Sequence, residues 1–491
     1  MKAQIKASRQ NVIGDIDKRI YGSFIEHLGR AVYGGIYDPS QKSADKNGFR
    51  NDALKLVKEL NVPIIRYPGG NFVSGYNWED GIGKKENRPK KMDLAWLSIE
   101  TNQFGTDEFC QWAKKADSDI MMAVNLGTRG PDEARNLIEY CNSTTNTYYA
   151  NLRRENGFSE PFNIKTWCLG NEMDGDWQIC HKTAYEYARV ATEAAKVMKW
   201  VDPTIELVAC GSSDSHMPTF GEWERTVLDH TYDYVDFLSL HHYFGHTSGT
   251  SENYLARAEE MDRFIKLTAS ICDEIKEKKG SNKTIYLSFD EYNIWFRTKD
   301  EEKTAPRWQI APHLLEEKYN FEDALVLGGL IMTLQNNCDR VKIACLAQLV
   351  NVIAPIMTDD EGAWAQTIFY PFMYASNYGR GKALNVKISS PTYKTSEGWD
   401  VPYLLTSVID NSEKGELVVF VENRSLNESI ELDLQIEGYE KLTPIEHIEL
   451  YSDNLDDVNT KEKSEILPRS CNPTISPTIK KHSWNMIRLK Y

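Results

Sequence analysis

The chain contains no apolar run of the length a bilayer span needs, about 20 residues, and its opening MKAQIKASRQ lacks the apolar core of a secretion signal. A soluble, cytoplasmic protein with no membrane partner is expected. The chain also lacks a CxxC pair. Its nine cysteines, at 110, 141, 168, 180, 210, 272, 338, 345 and 471, are odd in number. Neither a disulfide framework nor a structural zinc site is therefore expected, and most of the thiols should be buried and reduced. Positive charge is in deficit too: 57 Lys and Arg against 72 Asp and Glu give a net charge of −15, and the basic residues are interleaved with acids, as in KKENRPKK at 84–91. Nucleic-acid affinity rests on clustered Lys and Arg, so the composition excludes a nucleic-acid partner and favours a neutral ligand. No repeat of solenoid period and no low-complexity tract is present.

What the chain does have is material for a large core: 41% hydrophobic residues, with 12 Trp, 25 Tyr and 17 Phe in a length of 491. That length suits a large α/β barrel plus a smaller module. The recurring unit is an apolar strand followed by an amphipathic helix. YGSFIEHLGR at 21–30 places Glu26 and His27 after Phe24 and Ile25, and in the next helix, 51–60, Ala53, Leu54, Val57 and Leu60 share one face. VPIIRYPGGNF at 62–72 is a strand followed by Arg66, a Pro-Gly-Gly turn and Asn71. Its helix, 106–116, has Thr106 as the expected N-cap, with Asp107 and Glu108 at the positive end of the helix dipole. Strands at 120–127 and 164–172 precede helices at 132–140 and 183–200; strands at 205–213 and 235–243 follow, then a long helical segment, 254–278. The seventh strand lies in TIYLSFDEYNIWF at 284–296 and the eighth in 342–353. Eight apolar strands alternating with helices, each ending in polar or aromatic residues, predict a (β/α)8 TIM barrel over 18–384.

Beyond residue 385 the pattern changes to period two. In IELDLQIE at 430–437, Ile430, Leu432, Leu434 and Ile436 alternate with polar residues, and 416–423, 444–450 and 483–491 read as further strands separated by polar turns. These predict a C-terminal antiparallel β-sandwich over 385–491, joined by residues 1–17.

Two carboxylates stand at strand ends. Glu291 closes the seventh strand, and a carboxylate at the mouth of a buried strand is either held by partners or there for chemistry. Glu172, in CLGNE at the end of the fourth strand, has the same two readings. Their joint placement favours chemistry, because in a closed eight-stranded barrel both project from the C-terminal face across one mouth. A facing pair of carboxylates is what glycosidic bond cleavage requires. Asp290 is set aside, since strand alternation should turn it away from the mouth that Glu291 faces. His27, His241 and His242 invite a metal site, but none lies in an H-x3-H pair and three or four converging ligands are needed; no metal and no cofactor are expected.

GSFIEHLGR, RYPGGNF, LGNEMDG with Trp177, LHHYFG, FDEYNIW and AQLVNVI, in this order, resemble the intracellular α-L-arabinofuranosidases of glycoside hydrolase family 51 over nearly the whole chain. The resemblance implies a retaining hydrolase in which Glu172, directly after Asn171, is the general acid/base and Glu291 the nucleophile. It implies further that Glu26, Asn71, Asn171, Tyr243 and Gln348 contact the arabinofuranosyl unit, with Arg66 beneath Glu291 holding it ionised. Trp96, Trp177 and Trp295 offer flat faces for sugars, or equally serve as core and loop anchors. Arabinofuranose-containing oligosaccharides are the implied partners and a homo-oligomer, by resemblance a hexamer, the implied assembly. The alternatives are a β-glucanase or β-xylosidase of the same clan, and a catalytically inactive carbohydrate-binding protein.

Overall fold

The eight predicted strands close on themselves. The computed structural model describes residues 1–246 and 249–491. Its barrel strands are β1 Gly22–Phe24, β2 Ile64–Tyr67, β3 Asp119–Val124, β4 Thr166–Leu169, β5 Glu206–Ala209, β6 Phe237–Phe244, β7 Tyr286–Ile294 and β8 Val341–Ala347. Every neighbouring pair is parallel, and β8 pairs back to β1.

The unbroken apolar runs are explained by two cores that share each strand. Ile65, Tyr67, Met122, Val124, Trp167 and Leu169 face the surrounding helices. Their neighbours Ile64, Met121, Ala123 and Cys168 join Phe24, Val208, Phe237 and Ile343 in filling the barrel interior. Alternate side chains from all around the ring thus make a packed plug, not a pore.

The helices follow their apolar stripes. Asn51–Leu60 buries Ala53, Leu54, Val57 and Leu60. Ala184–Val201 begins with the Thr183 hydroxyl accepting from Glu186 N while Glu186 reaches back to the Thr183 N–H, which satisfies two of the free donors at the helix start. In Thr106–Lys115 the cap is Gly105, not Thr106: the Glu108 side chain accepts from Gly105 N at 2.9 Å, so Thr106 is the first helical residue. Among the described residues no helix is long and apolar enough to cross a membrane.

Three two-stranded ribbons, Lys91–Asp93 with Ser98–Glu100, Ile356–Thr358 with Ala363–Ala365 and Thr392–Lys394 with Asp400–Pro402, stand apart, and the remaining eleven strands form two sheets. One orders Lys387–Ser389, Lys2–Ser8, Ile430–Glu437 and Thr478–Ile479; the other runs Val12–Asp15, Lys382–Leu384, Leu404–Asn411, Glu416–Asn423, Ser483–Lys490, Thr443–Leu450 and Arg469–Cys471. Between them lie Ala3, Ile5, Leu417, Val419, Leu432, Leu434, Ile487 and Leu489. Pairing is antiparallel with one departure, since Lys2–Ser8 runs parallel to Ile430–Glu437. The N-terminal strand enters that sheet from the opposite end of the chain, so no tight turn dictates its direction.

The outer face of the larger sheet, with Phe420, Trp484 and Met486, packs on the barrel's own core. Helix Phe321–Asn336 is buried almost all round. At Gly328 a Cβ would collide with the Trp484 indole, so the glycine is what lets helix and sheet approach. Of the cysteines, Cys180 is exposed and Cys471 partly so; the others are buried, and all nine are free.

Gly328→Val should destabilise the fold by about 1–3 kcal/mol through overpacking against Trp484. Gly362→Ala, where nothing lies within 4 Å of the added carbon, should leave the thermal midpoint unchanged. Scanning fluorimetry of the two variants checks the contrast.

Candidate active site

The C-terminal ends of the strands converge on one charged cluster. Arg66, the third residue of β2, is fully buried beneath the mouth. Its Nη1 donates to Glu291 Oε1 at 2.7 Å and its Nη2 to Asn171 Oδ1 at 2.6 Å. The Phe24 ring lies 4.7 Å under the guanidinium. A cation so placed holds the ends of β4 and β7 in fixed relation, because each of its forked donors serves a different strand.

Glu291 owes its direction to an irregularity in β7. Ser239 pairs with Ser288 and His241 with Glu291, so two steps along β6 oppose three along β7. The bulge shifts the alternation by one residue. Phe289 and Tyr292 lie in the outer core, while Asp290 and Glu291 both face inward. Asp290 is therefore not turned away from the barrel as simple alternation predicts. It lies below the mouth, 3.8 Å from Arg66 Nε and 3.6 Å from Cys168 Sγ, and accepts from the Ser288 hydroxyl. Burial pushes its carboxyl above the ordinary range despite Arg66 and His241.

Glu172 is reached differently. After β4 the backbone turns through Gly170 at φ 86° and Glu172 at φ 44°. A non-glycine residue in the left-handed region costs about 1–3 kcal/mol, a strain concentrated at functional sites. The turn presents Glu172 Oε1 to His241 Nδ1 at 2.9 Å and Oε2 to the Trp177 indole N–H at 2.7 Å.

His241 bridges the pair. Its Nδ1 is also 3.8 Å from Glu291 Oε1, and one oxygen of each carboxylate and a ring nitrogen all lie within 4.8 Å of one another. Burial works against the imidazolium, but Glu291 and Glu172 outweigh it and raise the His241 pKa. Glu291 moves the other way: burial disfavours its charge, yet His241, Arg66 and the 2.7 Å hydrogen bond from the Tyr243 hydroxyl hold it below the usual carboxylate range. Three such atoms could also converge on a metal ion. Both oxygens of Glu291 already accept, however, from Arg66 and Tyr243, so protein donors meet its charge. His241 is the functional residue that sequence reasoning weighed only as a metal ligand. The signal was its place on the strand beside β7, level with Glu291.

The other predicted residues line the same mouth. Glu26 Oε1 accepts from Phe72 N at 2.8 Å and Trp96 Nε1 at 3.0 Å, and Gln348 Oε1 accepts from Glu26 N at 3.0 Å. A Cβ on Gly70 would lie 2.6 Å from Glu26 Oε2, so the Pro-Gly-Gly turn can wrap the carboxyl only with glycine there. Burial, reinforced by the charge on Glu291, pushes the Glu26 pKa up to about 8. A carboxyl shifted in this direction keeps its proton to a higher pH than usual, and in that form it can donate to a hydroxyl. The Asn171 Nδ2 is buried without a partner among the described residues, a donor free for a ligand.

Asn71 opens the turn whose next N–H holds Glu26; its own half-buried side chain makes no hydrogen bond among the described residues. Trp96 anchors Glu26. Trp177 keeps half its surface exposed beside Glu172. Trp295 packs edge-on to Tyr243, with centroids 5.3 Å apart. His27 bonds to Glu100 and Tyr67, a structural use.

Comparison with known proteins agrees with this geometry. The α-L-arabinofuranosidase 1 domain family matches residues 56–263 and the α-L-arabinofuranosidase C-terminal domain family matches residues 290–483. The chain is 53% identical, over 100% of its length and 99% of the relative's, to an intracellular exo-α-(1→5)-L-arabinofuranosidase 1 of Bacillus subtilis. It is 55% identical, over 97% of each chain, to an intracellular exo-α-(1→5)-L-arabinofuranosidase of Halalkalibacterium halodurans. Among solved structures, AbfB, a family 51 α-L-arabinofuranosidase from Bifidobacterium longum, superposes with a TM-score of 0.96 at 43% identity, covering 100% of this chain and 99% of that one.

The raised Glu26 carboxyl carries a pH signature. The folded state holds a proton that the unfolded chain has already lost between pH 4.5 and about 8, so stability falls as pH rises through that window. Glu26→Gln removes the titration. The thermal midpoint of the variant should decline less from pH 5 to pH 8 than that of the wild type; parallel slopes would contradict the assignment.

Proposed function

Because the chain belongs to the family 51 α-L-arabinofuranosidases, a family of glycoside hydrolases, we propose that it releases terminal non-reducing α-L-arabinofuranosyl residues from short arabino-oligosaccharides inside the cell. It does so by a two-step retaining mechanism. The observation that carries this reading is the spacing of the two carboxylates, with oxygens within 4.8 Å of each other and of His241. Retaining enzymes place the pair about 5–5.5 Å apart, whereas inverting enzymes need about 6.5–9.5 Å to admit a water.

Glu291 is the nucleophile. Arg66 and Tyr243 keep it charged and aimed, and it attacks the anomeric carbon to form a glycosyl-enzyme. Glu172 donates its proton to the leaving oxygen, then takes one from the water that attacks in the second step. His241 lies between the two and holds the acid/base in place. The Asn171 Nδ2 donor and the neutral Glu26 carboxyl bind sugar hydroxyls, with Gln348 fixing Glu26, and the 2-hydroxyl contact of Asn171 strengthens as charge develops at the ring. Trp177, half exposed and hydrogen-bonded to Glu172, offers a flat face to the leaving sugar.

The barrel is the catalytic unit of this reading, and the two-sheet unit, which includes the Lys382–Leu384 strand and the N-terminal strands, the accessory one. The relatives named for α-(1→5) links support a preference for that linkage here, and a hexameric assembly is part of the same reading. A mouth this enclosed, with Glu172 9% and Glu291 5% exposed, suits a chain end better than the middle of a polymer.

Glu291→Ala should nearly abolish turnover. Glu172→Ala should lose about 10²–10⁴-fold on natural oligosaccharides and far less on aryl arabinofuranosides with good leaving groups. Azide should restore its rate by giving an arabinofuranosyl azide of the substrate's own α configuration, the outcome of two inversions. Equal losses on both substrates with no response to azide would contradict the roles. On a panel of nitrophenyl glycosides the α-L-arabinofuranoside should be preferred; preference for a pyranoside would overturn the substrate.

A further inference from the structure

Beside the mouth a second group of side chains converges. Asp214 and His216 lie in the segment after β5, and His242 lies on β6 directly after His241. Asp214 Oδ1 is 3.0 Å from His216 Nδ1, and Oδ2 is 3.1 Å from His242 Nδ1. The Ser215 hydroxyl is 3.1 and 3.3 Å from the same two nitrogens. One donor atom from each of Asp214, His216 and His242 lies within 4.8 Å of the others. Behind them, the Nε2 atoms of both rings face one oxygen of Glu260, at 3.3 Å from His242 and 3.8 Å from His216, and Arg257 holds the other Glu260 oxygen at 3.0 Å. The group lines a cavity of about 610 Å³, bounded also by Lys299 and Trp399.

A buried ion pair accounts for part of this. His242, between Asp214 and Glu260, is paired on both sides. It does not account for His216, whose side chain is 73% exposed and gains nothing from burial, yet which offers the same nitrogen to the same carboxylate as His242 does. The two rings are not stacked, with centroids 5.8 Å apart and planes at 42°. Ligands 2.0–2.1 Å from a tetrahedral ion lie about 3.3 Å from one another; the Ser215 hydroxyl is 3.1 and 3.3 Å from the two ring nitrogens, each ring has its own Asp214 oxygen at 3.0 or 3.1 Å, and one donor atom per residue falls within 4.8 Å of the others. A ligating imidazole commonly gives its other N–H to a carboxylate, and Glu260 stands in that position for His242 at 3.3 Å, with His216 Nε2 farther from the same oxygen, at 3.8 Å.

We propose that Asp214, His216 and His242, with the Ser215 hydroxyl or a water as fourth donor, bind a divalent transition-metal ion of the Zn²⁺ class at a site separate from the sugar chemistry. Two imidazoles and one carboxylate select zinc, cobalt, nickel or copper over magnesium and calcium, which prefer all-oxygen sites. The bound ion ties the segment after β5 to β6 one residue from both His241 and Tyr243, so its effect on the reaction is positional.

The full-length protein, stripped with a chelator, is titrated with Zn²⁺ by calorimetry and with Co²⁺, whose visible absorption reports tetrahedral nitrogen and oxygen ligands. One ion per chain should bind with a Kd on the order of micromolar. His216→Ala and Asp214→Asn should each weaken binding by about ten-fold or more, the scale of losing a metal-site partner. Without metal, His216→Ala should keep its basal hydrolysis within about two-fold, since His216 touches no group of the reaction; circular dichroism checks that each variant is folded. Failure to bind below millimolar concentration would overturn the proposal. So would equally tight binding by both variants, which would place the ion elsewhere, at Glu172 and Glu291 or at Cys180.

Discussion

The site depends on one buried cation. Arg66 has no access to solvent and meets Glu291, Asn171 and Asp290 from below. Removing one partner of a buried ion pair costs about 3–5 kcal/mol, because the other charge is left uncompensated. The geometry of the mouth is thus enforced by electrostatics as well as by packing. Glu291 cannot rotate away without stranding Arg66, and Asn171 cannot release Arg66 without freeing the turn that carries Glu172. His241 and this cation together set the different environments of the carboxyl groups. Glu291 faces His241, touches Arg66 and is held ionised, whereas Glu26 and Asp290 are pushed up by burial.

The barrel supplies this arrangement through two local departures from regularity. The bulge in β7 brings two consecutive acids to the inner side, one as part of the plug and one at the mouth. The left-handed turn at Glu172 lifts the other carboxylate off the end of β4 and across to His241. Both sit where a rigid ring of eight paired strands can absorb the cost, and both place charge where little water reaches it. In such surroundings a hydrogen bond or ion pair is stronger than in solvent.

Much of this was legible in the residues. Strand after strand was readable because apolar side chains on both faces leave few alternatives to a barrel wall. The pairing of Glu172 with Glu291 followed from their places at the ends of the fourth and seventh strands. The alternation of Ile430, Leu432 and Leu434 likewise announced a sheet with one buried face. What was not legible depends on register. Period-two alternation turns Asp290 away from the mouth onto the face opposite Glu291 because it has no term for a bulge, and a bulge is set by how β7 pairs with both neighbours. The parallel entry of Lys2–Ser8 depends on contacts more than 400 residues away in sequence. His241 was visible as a histidine at a strand end, but its bridging role needs the distance from β6 to β4 across the mouth, which only the closed barrel defines.

The central claim is that Glu291 forms a covalent bond to the sugar while Glu172 manages the proton. An activated 2-deoxy-2-fluoro-α-L-arabinofuranoside tests it most directly, because the fluorine slows breakdown of a glycosyl-enzyme and lets it accumulate. Mass spectrometry of the digested protein should find one arabinofuranosyl adduct per chain, on the side chain of Glu291. An adduct on Asp290 or Glu26, or none at all while product forms with inverted configuration, would contradict the account.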